Sequence, residues 1–141
     1  MRIFLDASIW LAALGRPEGG AAHLLELAQA GGLVPLTSAA VLQEARRNAG
    51  KGGSTPADLE ALVLRVRPLL VAIRATDLAP WSAVAEKDRH VIAGAVLGHA
   101  EFLVTFDRKH LDNPTTRSLV PLAIGSPGAC LQASRKRGDL P

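Results

Sequence analysis

The fold of this chain is decided by the stretch from Asp88 to Leu111, which reads DRHVIAGAVLGHAEFLVTFDRKHL. Apolar and small residues recur three and four positions apart in its first half, which predicts a helix from Asp88 to about Ala100 with one buried face. The apolar run from Glu101 to Phe106 then predicts a short strand. One helix–strand unit is therefore flanked by two aspartates, Asp88 before the helix and Asp107 directly after the strand.

The remainder of the chain alternates in the same way between short apolar runs and amphipathic segments. Further strands are predicted at residues 2–5, 33–36, 69–73 and 119–124, and further helices at 8–14, 20–30, 39–49 and 55–67, with a last helical turn after 126–128. Pro35 indicates that the second strand is short or lies at a sheet edge. The alternation is typical of a three-layer α/β/α sandwich with a mostly parallel central sheet, and it should bring the strand ends before Asp6 and Asp107 to one edge.

Length and composition limit the class of protein. The chain has 141 residues, of which 48% are apolar, so we expect one domain over residues 1–133, followed by a basic tail at 134–141. No uncharged apolar run reaches the roughly 18 residues of a membrane span, and Asp6 interrupts the only segment resembling a signal peptide. The lone cysteine, Cys130, cannot form an internal disulfide, which suits the cytoplasm. A net charge of +3 permits a polyanionic partner without requiring one.

Four carboxylates form the candidate site, and each has a simpler explanation. Asp6, Asp88 and Asp107 all stand at predicted helix starts, where an aspartate often caps the helix. Glu44 lies inside a predicted helix at the border of its buried face, and a surface pairing with Arg47 or Asn48 would explain it equally well. If all four converge, their charges repel, and a shared cation resolves the repulsion. A site made only of oxygen ligands suits Mg²⁺ or Mn²⁺, ions that activate water and stabilise a phosphoryl group under attack.

Other polar residues stand close to these acids in the sequence. Ser8 and Thr105, two residues from Asp6 and Asp107, are candidates for orienting a ligand, although such residues often only cap a turn. The basic neighbours of the acids are Arg46, Arg47, Arg89, His90, Arg108, Lys109 and His110. A positive rim around an acidic pocket would hold a phosphate backbone, whereas a merely solvated charged surface is the alternative for each residue. Trp10 and Trp81 are candidates for base stacking, with burial as the alternative.

The pattern as a whole resembles the PIN-domain ribonucleases. The resemblance rests on IFLDAS at residues 3–8, VLQE at 41–44, KDRHVIAGA at 87–95 and LVTFD at 103–107. It implies a PIN fold in which Asp6, Glu44, Asp88 and Asp107 take the positions of the acidic residues that bind Mg²⁺ or Mn²⁺ and cleave single-stranded or structured RNA. The segment from Val120 to Leu131 also resembles the end of VapC-like toxins of bacterial toxin–antitoxin pairs. That resemblance implies an antitoxin that covers the pocket, and a homodimer is a further possibility.

Two other functions compete with this interpretation. A PIN-like module that binds RNA without cleaving it, or that serves in RNA processing, would show the same fold. A phosphatase or nucleotide-binding α/β protein ranks third, because the chain lacks a Gly-x-Gly-x-x-Gly or Walker loop and the second aspartate of an aspartyl-phosphate enzyme.

Overall fold

A five-stranded parallel sheet forms the centre of the protein in a computed structural model that describes residues 1–141. The strands, in the spatial order β3-β2-β1-β4-β5, are β1 (Arg2–Leu5), β2 (Val34–Thr37), β3 (Leu69–Leu70), β4 (Phe102–Val104) and β5 (Ala123–Gly125). The helices are α1 (Ala7–Gly15), α2 (Gly20–Gln29), α3 (Ala39–Asn48), α4 (Pro56–Val66), α5 (Arg89–Leu97), α6 (Pro114–Leu119) and α7 (Pro127–Arg137). This architecture confirms the predicted α/β/α class with a parallel sheet.

The central strands place the aspartates that follow them side by side. Leu5 of β1 is in register with Val104 of β4, and both are fully buried. The Asp6 N–H continues the ladder by donating to the Val104 carbonyl oxygen at 3.2 Å. Asp6 and the residues after β4 therefore emerge at the same edge of the sheet, as the sequence predicted.

Helix α5 lies directly on the sheet and carries Asp88 at its beginning. A Cβ atom at Gly94 would lie only 2.7 Å from Cζ of the buried Phe4 ring on β1. A glycine is therefore what lets the helix approach the strand so closely. The 3₁₀ helix Glu86–Asp88 leads into α5, which starts one residue later than predicted and ends at Leu97.

Several helices begin as their sequence signals predict. Ser38 caps α3 by accepting the Val41 N–H at 3.2 Å. Thr55 and Asp58 form a reciprocal capping box at the start of α4. The Gly20–Gln29 helix buries the predicted face, namely Ala21, Leu24, Leu25 and Ala28.

Of the two alternatives that Pro35 offers, the short strand is the correct one, because β2 has four residues and lies between β1 and β3 rather than at an edge. The Val34 N–H donates to β1 through the Met1 carbonyl, and the Thr37 carbonyl accepts from the Val71 N–H. The backbone N–H and C=O groups of successive residues in a strand point to opposite neighbouring strands, so those of Pro35 point toward β3. The two-residue β3 pairs only with Leu36 and Thr37. The missing N–H of Pro35 therefore leaves no ladder bond unmade.

The segment after β4 differs most from the prediction. Residues 114–119 form α6, which no pattern had predicted, and β5 is confined to Ala123–Gly125. Asn113 caps α6 by accepting the Thr116 N–H at 2.8 Å, with Pro114 at the first helical position. The Asn-Pro pair therefore marks a helix start.

The basic residues near the C-terminus belong to a helix rather than to an extension. Helix α7 runs for 11 residues, through Arg137, and buries Ser134 completely. Arg137 pairs with Glu101 at 2.9 Å and with Asp139 at 3.1 Å, and Leu140 is buried. None of the helices has the length and apolarity that crossing a bilayer requires.

Candidate active site

Asp6 is held rigidly at the end of β1. Its Oδ1 accepts the Ala7 N–H at 2.8 Å, which makes it the cap of α1. Its Oδ2 accepts hydrogen bonds from the hydroxyls of Ser8 at 3.2 Å and Thr105 at 2.7 Å. Capping therefore occupies only one carboxylate oxygen of Asp6. The second oxygen is oriented by two hydroxyls from different elements.

The same two hydroxyls fasten the end of β4 to the end of β1. The Thr105 oxygen accepts the Asp107 N–H at 3.0 Å, and the Ser8 oxygen accepts the Phe106 N–H at 3.1 Å. Asp107 in turn accepts the backbone N–H groups of Lys109 and His110 on its Oδ1, at 3.1 and 2.9 Å. Asp107 therefore caps the following turn while remaining half-buried beside Asp6.

Asp88 does not cap the helix that follows it. It occupies the cap position of α5 without a side-chain capping bond, and its Oδ2 is buried without any hydrogen-bond partner. The His110 ring approaches that oxygen, but its Nδ1 lies 3.9 Å away, too far for a hydrogen bond. A buried carboxylate oxygen without a partner is costly, and such a group calls for a ligand.

Glu44, on α3, lies within electrostatic range of Asp6 and Asp88. Burial raises the pKa of Glu44, and the neighbouring carboxylates of Asp6 and Asp88 raise it further, against the opposing effects of His90 and Arg47. No ion pair joins Glu44 to Arg47. The Asn48 amide donates at 2.8 Å to the Glu44 carbonyl oxygen rather than to its carboxylate. The surface pairings that the sequence offered for Glu44 are therefore not made.

The four acids influence one another electrostatically. Burial is the main cause that raises the pKa of Asp88; Lys87 and His110 lower it, while Asp107 and Asp6 raise it. Glu44 is affected by Asp6 and Asp88, and Asp88 by Asp6 and Asp107, so repulsion connects the four carboxylates around the ends of β1 and β4. Such mutual repulsion is what a bound cation relieves.

The donor set fits a hard cation in its chemistry, although the side chains are not arranged as a finished coordination shell. All four acids offer oxygen ligands, as Mg²⁺ and Mn²⁺ prefer. No group of three or more His, Cys, Asp or Glu side chains lies in a position to hold an ion. Binding would therefore require side-chain movement, and the free Oδ2 of Asp88 is the atom most ready to contribute.

Some residues of the predicted basic rim already bind other protein groups, and others form no ion pair. Arg46 pairs with Glu60, with Nε 3.0 Å from the carboxylate. Arg89 donates to the carbonyl oxygens of Val84 at 2.9 Å and Ser82 at 3.0 Å, so it fastens the loop before α5. Arg47, Arg108 and Lys109 are exposed and form no ion pair.

The exposed aromatic residue beside Asp107 is Phe106, which is not among the residues that the sequence proposes for base stacking. Trp10 is fully buried and Trp81 packs partly against the core, so the burial alternative holds for the first and largely for the second. Phe106, directly before Asp107, is 50% exposed. The apolar run predicts that Phe106 belongs to the strand, but the strand ends at Val104.

Comparisons with known proteins bear on the family and the fold of the chain. A family model described as PIN domain matches residues 2–109. Among solved structures, the chain is similar to VapBC2 from Rickettsia felis bound to a DNA fragment from their promoter, with a TM-score of 0.61 and 16% identity over 88% of this chain and 97% of that one. At this identity the likeness is one of fold. No curated protein gives a significant match to the sequence.

Proposed function

This chain belongs to the PIN domain family, whose members are generally nucleases, and from that premise we propose that it is a Mg²⁺- or Mn²⁺-dependent endoribonuclease. The observation that carries the proposal is the group of four carboxylates at one sheet edge, coupled through the raised pKa values of Glu44 and Asp88. A structural cluster of this kind would be paired with arginine or lysine, whereas here one buried oxygen of Asp88 has no hydrogen-bond partner.

Each acid has a proposed part in holding the metal. Asp6 presents one oxygen oriented by Ser8 and Thr105, and Asp88 presents a free oxygen. Glu44 and Asp107 complete the oxygen donors from α3 and from the loop after β4. When bound, the ion would activate a water molecule and stabilise the charge that develops on the phosphoryl group.

The exposed cations are proposed to hold the RNA backbone around this pocket. Arg47, Arg108 and Lys109 are free to contact phosphates, whereas Arg46 and Arg89 would first have to leave Glu60 and the loop carbonyls. Because each phosphate contact releases counterions, RNA affinity should fall steeply with salt. We assign the main phosphate contacts to the three free residues.

The experiment is cleavage of a fluorescent single-stranded RNA in the presence of Mn²⁺. Asp6→Asn, Glu44→Gln, Asp88→Asn and Asp107→Asn should each reduce the rate by at least about 100-fold, since each removes a charged ligand. Glu18→Gln is the matched control, because Glu18 is exposed and forms no ion pair. Chelation with EDTA should stop cleavage by the unaltered protein.

Two outcomes would contradict the nuclease proposal. An Asp6→Asn variant that cuts at the unaltered rate would remove the metal site from the reaction. Binding of the RNA in EDTA with no cleavage products under any divalent ion would instead favour the RNA-binding module that does not cut. Circular dichroism of every variant shows whether a loss of rate reflects unfolding.

We also propose that the chain is the cytoplasmic toxin of a toxin–antitoxin pair. The similar VapBC2 structure supports the presence of an antitoxin partner, and exposed apolar side chains at Leu64, Leu69 and Leu70 leave surface for a protein contact or a homodimer. Other apolar side chains of α4, at Leu59, Leu62 and Val66, lie in the core.

Growth of a bacterial host tests the toxin proposal. Expression of the chain alone should arrest growth, the Asp6→Asn variant should not, and co-expression with the product of the adjacent reading frame should restore growth. Normal growth with the unaltered chain, shown to be folded and expressed, would overturn the toxin role. A strict monomer in light scattering would overturn the homodimer.

A further inference from the structure

A cavity of about 360 Å³ opens beside the acidic pocket. One wall is the segment 83–85, before the 3₁₀ helix that leads to Asp88, and the other is formed by Lys109, His110 and the first turn of α6. It is widely open to solvent, so a segment of a longer chain could enter it. No sequence pattern predicts this cavity, because α6 itself is not predicted.

His110 is shared between the cavity and the acids. Its backbone N–H donates to Asp107 at 2.9 Å, and its ring lies 3.9 Å from the free oxygen of Asp88. The same residue lines the cavity. A molecule in the cavity is therefore one residue away from the carboxylates proposed to act on RNA.

Both walls of the cavity are fixed before any ligand arrives. The Arg89 guanidinium fastens the 82–84 segment through the carbonyl oxygens of Ser82 and Val84. On the other side, the Asn113 amide accepts the Thr116 N–H at 2.8 Å and donates to the Lys109 carbonyl at 3.2 Å. Preorganised walls lower the entropy lost on binding.

The two walls differ in chemistry. The 83–85 wall presents only the alanine and valine side chains of Ala83, Val84 and Ala85. The opposite wall presents the Lys109 ammonium, which has no carboxylate partner, and the Thr115 hydroxyl, which makes no hydrogen bond within the protein. An apolar wall facing a cation and a hydroxyl suits a ligand with an apolar face, a polar edge and a phosphate, and a nucleotide combines these three features.

We propose that this cavity binds the nucleoside adjacent to the scissile phosphate and thereby sets a nucleotide preference at that position. The base lies against the wall formed by residues 83–85, Thr115 contacts the base edge, and Lys109 contacts the flanking phosphate. The inference rests on the proposed nuclease function, because the acids define which phosphate is cut.

The test fills the cavity and measures where RNA is cut. Thr115→Trp occupies the cavity, and Ala57→Trp is the matched control, because Ala57 and Thr115 are both exposed second residues of helices that begin with proline. Single-stranded RNAs with randomised positions are digested, and the products are sequenced. We expect Thr115→Trp to lose the preference at one position beside the cut and to cleave the preferred RNA about 10-fold or more slowly, with Ala57→Trp unchanged.

The experiment distinguishes failure of this inference from failure of the nuclease proposal. If Thr115→Trp retains both the rate and the preference of the unaltered protein, the inference is overturned while the nuclease proposal stands. If Thr115→Trp does not fold, Thr115→Val and Lys109→Met take its place, and unchanged preferences in both overturn the inference. If the unaltered protein cuts no RNA, the nuclease proposal fails, and an unchanged Kd of Thr115→Trp for a labelled eight-nucleotide RNA overturns the inference on its own.

Discussion

At the scale of single residues, the Thr105 hydroxyl joins the two aspartates that follow β1 and β4. It is 1% exposed, donates to the Asp6 carboxylate and accepts the Asp107 N–H. Ser8 makes the equivalent pair of contacts to Asp6 and Phe106. The relative position of the two acids therefore depends on two hydroxyls as well as on the strands.

Thr105→Val should preserve the shape of the side chain and remove this junction. The substitution leaves the Asp107 N–H and one acceptor of Asp6 without their partner, so we expect a loss of about 1–3 kcal/mol in the free energy of unfolding. RNA cleavage should fall by roughly 10–100-fold, as for other residues that orient metal ligands. Urea denaturation and the cleavage assay measure the two effects.

Thr105→Ser is the control for this prediction, because it keeps the hydroxyl. It should retain most of the cleavage rate. Equal rates for Thr105→Val and the unaltered protein would show that the orientation of Asp6 does not depend on this contact.

The sequence could predict which acids to consider but not which of their two roles they would have. Asp6 and Asp107 each use one carboxylate oxygen to cap a helix or turn. The other oxygen can still act as a ligand, so the two roles are compatible. The free oxygen of Asp88 depends on the packing of α5 and of the loop containing His110, which no local pattern encodes. The functional role of all four remains a prediction.

At the scale of elements, the contact between α5 and β1 positions Asp88. Helix α5 packs on β1 and β2. A Cβ atom at Gly94 would lie 2.7 Å from Cζ of Phe4, which is shorter than a normal carbon–carbon contact. A larger residue at position 94 must push the helix, and Asp88 with it, away from the sheet.

Gly94→Ala should therefore destabilise the protein by about 1–3 kcal/mol despite the better helix propensity of alanine. Gly128→Ala in α7 is the matched control, because its Cβ would meet nothing closer than the Ser126 hydroxyl at 3.8 Å. That control should stabilise by about 0.4–1 kcal/mol. Urea denaturation of both variants checks the pair, and a Gly94→Ala variant as stable as Gly128→Ala would contradict the argument.

Elements with a clear buried face were predictable, and those dominated by tertiary context were not. Helices α2 and α4 matched because of their apolar spacing, and α4 also begins at a capping box. Strand β3 is shorter than predicted. Its two leucines are exposed, and they pair only with Leu36 and Thr37 of β2. Helix α7 continues through a basic run, which looks like a tail only when its ion pairs are unknown.

At the scale of the whole molecule, the acidic pocket opposes stability. A carboxylate with a raised pKa is less stable as an anion in the folded state than in the unfolded state. Burial, followed by neighbouring charges, produces this effect at Asp88 and at Glu44. The folded protein therefore maintains an unfavourable cluster at neutral pH.

Asp88→Asn should consequently raise the Tm at pH 7. The penalty on the unaltered protein is fully present above the raised pKa of Asp88, so the difference should shrink as the pH falls through that pKa and vanish below the ordinary value of 3.8. Scanning fluorimetry between pH 3 and 8 measures it without added metal. A lower Tm for Asp88→Asn at pH 7 would contradict the prediction.

Glu101→Gln provides a control of opposite sign. The Arg2 backbone N–H, followed by Arg137, lowers the pKa of Glu101, so its stabilising effect is present at neutral pH and is lost as the pH falls through the lowered pKa. This variant should lower the Tm at pH 7.

The sheet ends in two very short outer strands, the two-residue β3 and the three-residue β5. An outer strand templates fibrous growth only when it offers a long row of unpaired amide and carbonyl groups to another molecule. Neither margin of this sheet offers such a row. Concentrated solutions of the folded protein should therefore stay free of cross-β fibrils, and copies that associate should do so through side-chain surfaces rather than by extending the sheet.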